Sequence, residues 1–162
     1  MKQWQPKGRI ISYGHDIETA WLQIEAAKVI QNKSLLEKTQ NIALDIADKF
    51  MIEAVDSEGG VRYEFNPETG VRDNDRHWWP QVEAIIGLVY AWQISREEKY
   101  LLCADSIWEF TKKNIIDRKN GEWHWRVNSK GEPNTSNYKM GMWKAPYHNS
   151  RACIQMNKAL GI

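Results

Sequence analysis

The sequence predicts an all-α chain of helical hairpins, with short β-hairpin excursions between the pairs. Three observations lead there. Apolar residues recur at helical spacing in five segments of the 162-residue chain. The breaks inside each pair of segments are very short, which argues for antiparallel neighbours. Longer stretches carrying Gly, Asn and Pro turn signals separate the pairs.

The first segment, Asp16–Gln31, places Ile17, Ala20, Trp21, Ile24, Ala27 and Val29–Ile30 on a helical stripe, with Asp16 as a plausible N-cap. After a break at Asn32–Lys33, Ser34 is a good cap for a second helix, Leu35–Ala54. Its stripe runs through Leu35, Leu36, Ile42, Ala43, Ile46, Ala47, Phe50 and Met51. Asp56–Arg76 reads as an excursion: a turn at Glu58-Gly59-Gly60, a strand-like alternation over Val61–Phe65, and a second turn at Asn66–Gly70. Trp78–Ile94 is helical again. Pro80 fits there because it falls in the first turn, where its missing N–H would have no partner anyway. Arg96–Ile116 is the fourth helix. Asp117–Lys139 is a second excursion, turning at Asn120-Gly121 with a short strand at Glu122–Val127. Ser150–Leu160 closes the chain as a fifth helix.

A faint repeat supports the paired reading. Trp21–Ala26 and Trp79–Ala84 both spell W-x-Q-(I/V)-E-A, each opening the first helix of a pair. If those first helices line an inner ring, they run parallel and their N-termini share one rim. His15, Trp78, Trp79 and His148 then converge on one mouth. Helix N-termini also present free N–H groups and a positive dipole end, useful for polarising a substrate oxygen.

Bulk composition narrows the function. Twenty-two basic and 21 acidic residues leave a net charge of +1, which gives no case for nucleic acid or an anionic membrane as partner. No apolar run approaches the roughly 20 residues that span a bilayer. The N-terminus lacks the apolar centre of a signal peptide, so a cytoplasmic location is expected. Cys103 and Cys153 lie in helical patterns with no C-x-x-C, and read as buried free thiols. No phosphate-binding Gly-rich loop, G-x-S-x-G or H-E-x-x-H is present, which argues against nucleotide hydrolases, serine hydrolases and zinc proteases.

Nine tryptophans are unusual at this length. Trp4, Trp78, Trp79, Trp123, Trp125 and Trp143 lie in or beside loops and helix starts, where a core alone does not need them. Flat aromatic faces there suit stacking on the C–H face of a sugar. His15 stands at a helix entrance in Ser12-Tyr13-Gly14-His15-Asp16-Ile17-Glu18, with Glu18 three residues on and placed to orient the imidazole or bind a sugar hydroxyl. A surface histidine beside a cap is the plainer reading, and joint metal ligation by His15 and Glu18 lacks a second ligand cluster. Trp143–Arg151 gathers an aromatic, two basic residues, His148 and an amide around Pro146. His124, between Trp123 and Trp125, reads as structural or solvent-facing. Two histidines on one rim suit proton transfer at a carbon beside a carbonyl, since imidazole offers both acid and base forms near neutral pH without a cofactor.

At three motifs the sequence resembles the N-acylglucosamine 2-epimerase family, most closely its cellobiose 2-epimerase branch. These are S-Y-G-H-D-I-E at Ser12–Glu18, W-W-P-Q-V-E-A at Trp78–Ala84 and W-K-A-P-Y-H-N-S-R at Trp143–Arg151. The resemblance implies an (α/α)6 barrel, of which residues 1–162 would be the C-terminal part. It implies His15 and His148 as the pair that exchanges the C2 proton of a ring-opened reducing-end glucose, through a cis-enediolate. It implies sugar contacts from Glu18, Glu83, Trp143 and one of Trp78 and Trp79, with a disaccharide or monosaccharide as substrate. The family domain is more than twice this length, and its N-terminal helices supply an essential arginine and a further histidine. A missing N-terminal half, or self-association through exposed barrel flanks, is therefore expected, with little turnover from this chain alone. An aldose–ketose isomerase and a non-catalytic carbohydrate-binding or assembly fragment are the alternatives.

Overall fold

The structure, a computed structural model, describes residues 10–161; Trp4 lies outside the described residues. Strand β1 (Ile11–Ser12) leads into α1 (Tyr13–Ile30), which is followed by α2 (Lys33–Glu53). The first excursion holds β2 (Glu64–Asn66), β3 (Val71–Asp73) and β4 (Arg76–His77). Helices α3 (Trp78–Ser95) and α4 (Glu98–Phe110) form the second pair, and α4 runs on into a π-helical turn at Thr111–Ile115. The second excursion holds β5 (Arg126–Val127), and α5 (Tyr147–Leu160) ends the described chain.

The predicted helices are all present, but their ends differ for local reasons. Helix α1 starts at Tyr13, so Asp16 lies inside its first turn and is not the cap. Ser12 holds the N-cap position in extended conformation, and its hydroxyl bonds the His15 ring instead of a backbone N–H. Asn32, rather than Ser34, caps α2: its side-chain oxygen accepts from the Leu35 N–H at 3.0 Å. Gln31 (φ 58°) and Arg96 (φ 63°) turn left-handed to end α1 and α3. Helix α5 begins three residues before the predicted Ser150, which puts His148 in its first turn. Val61 makes only an isolated bridge to Val55, and the strand of that excursion begins later, at Glu64.

Helix α3 is the centre of the packing. It is buried without a break from Trp78 to Ala84 and again from Ile86 to Ala91, and it contacts α1, α2, α4 and α5. Within each pair, α1 packs on α2 and α3 on α4. Helix α1 comes especially close to α3: a Cβ on Gly87 would meet Ile17 Cγ1 at 2.6 Å. This places α1, α3 and α5 side by side, with α2 and α4 behind them, as the inner-ring reading requires.

The excursions are tied back to the rim of those helices. Strands β1, β2 and β3 form an antiparallel sheet, and β4 pairs with β5 with His77 opposite Arg126. The buried Arg76 guanidinium donates to Asp56 and to the Asn128 carbonyl, joining the two excursions. Gln81, fully buried, donates to the carbonyls of Val61 and His77 and accepts from the Val61 N–H.

Two expectations fail. The W-x-Q-(I/V)-E-A copies are not equivalent, since Trp21 lies midway along α1 while Trp79 is the second residue of α3. Gln23 is exposed where Gln81 is buried. The cysteines are not both buried either: Cys103 is partly covered, and Cys153 faces outward on α5. Among the described residues no helix is long and apolar enough to cross a membrane.

Candidate active site

The N-terminal ends of α1, α3 and α5 meet around a cleft of about 470 Å³. His15 comes from α1, Trp78 and Trp79 from α3, and Tyr147 and His148 from α5; all five line it, with Glu18 and Trp143. Trp79 is the shared surface between the two histidines. Its ring centroid lies 4.7 Å from that of His15 and 5.5 Å from that of His148, the latter nearly stacked. Gly14 makes this possible, because a Cβ there would run into the six-membered ring of Trp79.

Each imidazole is fixed through Nδ1. On His15 that atom lies 2.7 Å from the Ser12 hydroxyl. On His148 it lies 2.7 Å from Glu83 Oε1, and Glu83 is fully buried. The same Glu83 accepts from Trp21 Nε1 at 3.0 Å and from the Arg151 guanidinium at 2.7 Å. With its oxygens accepting from those donors, Glu83 serves as acceptor toward His148 too, so the hydrogen of that contact is assigned to Nδ1. Among the described residues, no hydrogen bond engages Nε2 of either histidine.

Glu18 is not the partner of His15. It pairs with Arg151, which also stacks over Trp21 at 5.1 Å. Nor does Glu83 line the cleft: it lies behind His148 and holds that ring in place. Glu18, Glu83 and His148 offer ligand atoms within 4.8 Å of one another. The Arg151 guanidinium already bonds both carboxylates, so it supplies the positive charge that this donor set calls for.

The rest of the lining is aromatic. Trp78 is buried, with Trp125 against it at 5.0 Å and the ammonium of the fully buried Lys144 at 5.3 Å from its ring. Trp143 is 77% exposed and stands on the outer lip. Tyr63 stacks on His77 at 3.8 Å, and its edge approaches Trp79. Burial raises the Tyr63 and Tyr147 hydroxyls above their ordinary value, so both stay protonated at neutral pH. Burial, aided by the nearby Arg126 charge, lowers His77 to about 4. His124 lies outside the cleft, 3.8 Å from Asp117.

Sequence spacing did not bring out Ser12, Trp21, Tyr63, His77 and Arg151 as site residues. Ser12 and Arg151 carried a local signal, each lying three positions from a motif histidine.

The model of the N-acylglucosamine 2-epimerase family matches residues 2–152. The chain belongs to the N-acylglucosamine 2-epimerase family. Among relatives in this family, a cellobiose 2-epimerase of Bacteroides fragilis is 39% identical over 153 residues, covering 94% of this chain and 39% of that protein. A crystal structure of a sugar epimerase from a ruminal bacterium superposes with a TM-score of 0.90 at 35% identity, over 95% of this chain and 39% of the other. A D-mannose isomerase structure superposes with a TM-score of 0.78 at 25% identity, over 96% and 38%. The fold is thus part of the (α/α)6 barrel of these epimerases, and the chain spans about 39% of the length of the first of these relatives.

Proposed function

We propose that this chain is the C-terminal part of a sugar 2-epimerase of the cellobiose 2-epimerase type, and that His15 and His148 are its proton-transfer pair. The observation that carries the reading is the packing of both imidazoles on the single indole of Trp79, each fixed through Nδ1. With the sugar in its open aldehyde form, one Nε2 removes the C2 proton, electrons move onto the carbonyl oxygen, and a cis-enediolate forms. The other histidine returns a proton to C2 on the opposite face, inverting the centre. Arg151 donates to Glu83, and Glu83, bonded to Nδ1 of His148, holds that ring with Nε2 toward the cleft. Trp143 at the lip suits stacking on the sugar beyond the reacting carbons.

Likeness to D-mannose isomerase favours one further reading, an aldose–ketose isomerase, in which the same enediolate is reprotonated at C1. One experiment separates them. The chain is incubated with cellobiose in D2O and followed by NMR. Slow deuterium entry at C2 with glucosyl-mannose as product, lost in His148→Ala, supports the epimerase. A ketose product supports the isomerase. No exchange, with saccharide-dependent tryptophan fluorescence retained, would support a carbohydrate-binding role for this chain by itself.

A further inference from the structure

His77 is the cleft residue that the proton-transfer reading does not use. Its ring lines the cleft, it is 8% exposed, and its Nε2 is buried with no hydrogen-bond partner among the described residues. Buried polar atoms of this kind are uncommon, and one on a cleft wall suits a ligand's polar group. The ring cannot turn freely. Tyr63 stacks on one face, β4 pairs its backbone with Arg126, and Gln81 holds its carbonyl. Next to it the Trp78 indole N–H, also on the cleft, is likewise buried without a partner.

Resting on the epimerase reading above, we propose that His77 is a specificity-determining residue whose Nε2 hydrogen-bonds one sugar hydroxyl other than those on the reacting carbons. Its position sets that division. His15 and His148 both pack on Trp79, whereas His77 reaches Trp79 only through Tyr63, one ring further along the wall. Arg126 and Asp73 are the charged groups facing it, and with its value at about 4 the ring is neutral where a sugar binds. It therefore reads a hydroxyl as a neutral partner and takes no part in moving the C2 proton.

The test uses the whole chain, cellobiose, and monodeoxy cellobiose analogues that each lack one hydroxyl other than those on C1 and C2 of the reducing ring. Affinities are read by tryptophan fluorescence. The unsubstituted chain is expected to bind one analogue roughly fivefold to tenfold more weakly than cellobiose, the size of one neutral hydrogen bond. His77→Phe, which keeps the stack on Tyr63, is expected to bind cellobiose more weakly by a similar factor and to lose discrimination against that analogue. The weakening should be the same at about pH 6 and about pH 8, since a neutral ring is being replaced. A His77→Phe protein with full affinity and full discrimination would overturn the inference while leaving the epimerase reading intact. No cellobiose binding by the unsubstituted chain would overturn both. Should His77→Phe not fold, the imidazole ¹⁵N signals of His77 in the unsubstituted chain decide: a shift of Nε2 on saturation with cellobiose supports the contact, and an unmoved signal removes it.

Discussion

Three donors meet at the Glu83 carboxylate, from Trp21, His148 and Arg151, and this side chain is where the site is most sensitive to a single atom. A Glu83→Gln amide cannot serve all three. Whichever way it turns, its NH2 faces at least one donor, and Arg151 loses half of its carboxylate pairing. The expected cost is about 3 kcal/mol of stability, as for a broken buried ion pair, checked by urea denaturation. The same change frees the His148 tautomer, so imidazole ¹⁵N shifts should show the proton no longer confined to Nδ1. His77 gives a second prediction, in acid. Its folded value of about 4 lies below an unfolded value near 6.5, so the unfolded chain takes up the proton first as pH falls. Stability from this group is undiminished above about pH 6.5, is lost progressively down to about pH 4, and amounts to roughly 3 kcal/mol in all. Thermal melts of His77→Phe should show a correspondingly shallower acid loss. At this scale the sequence singled out His15 and His148 as candidates, because each sits in a dense motif at a helix start, and the cleft brings both together. It did not reveal the link between Glu18 and Arg151, which joins residues 133 positions apart and leaves no mark in local spacing.

Elements were legible where apolar period decides them, and less so where side chains compete for a helix end. Five helices follow from five stripes. Ser12 displaces Asp16 as the residue before α1, and Asn32 displaces Ser34 before α2, because a cap is chosen by backbone geometry that spacing does not encode. The close approach of α1 to α3 was equally hidden, since glycine in a helical pattern reads as a weak point rather than a contact. Gly87 and Gly14 set that approach, one against Ile17 and one against Trp79. Gly87→Ala should gain up to roughly 1 kcal/mol of helix propensity and lose roughly 1–3 kcal/mol to overpacking, because Ile17 is fully buried and has nowhere to retreat. Overpacking wins, and a lowered urea midpoint is the expected result. Gly14→Ala should act differently. The Trp79 ring must tilt, so the surface shared by His15 and His148 is lost, and the cellobiose-dependent fluorescence change should fall more than the melting temperature does.

Across the whole molecule, burial is uneven in a way that bears on the cleft. Helix α3 is enclosed by four other helices, whereas α5 buries only His148 and Ala152 and packs mainly on α3, with Arg151 reaching α1. Ile154 and Leu160 on α5 are each 53% exposed. Local opening free energy follows such burial, so α5 should open well before α3. Yet α5 carries His148 and Arg151, and through them it is tied to Glu83 on α3 and Glu18 on α1. The site is therefore assembled by docking the least buried helix onto the most buried one, through a small apolar face at Ala152 and Met156 and a few charged contacts. Hydrogen exchange followed by mass spectrometry can see this directly. In the free chain, amides of α5 should exchange far faster than those of α3. Saturating cellobiose should slow α5 selectively, because a sugar lying between His15, Trp79 and His148 binds only the docked arrangement and adds its binding free energy to that opening alone. Glu83→Gln should remove most of the slowing, since the helix then loses its main tether. Equal protection of α3 and α5 in the free chain would show instead that apolar contact alone holds α5, and that the charged tether orients His148 without securing its helix.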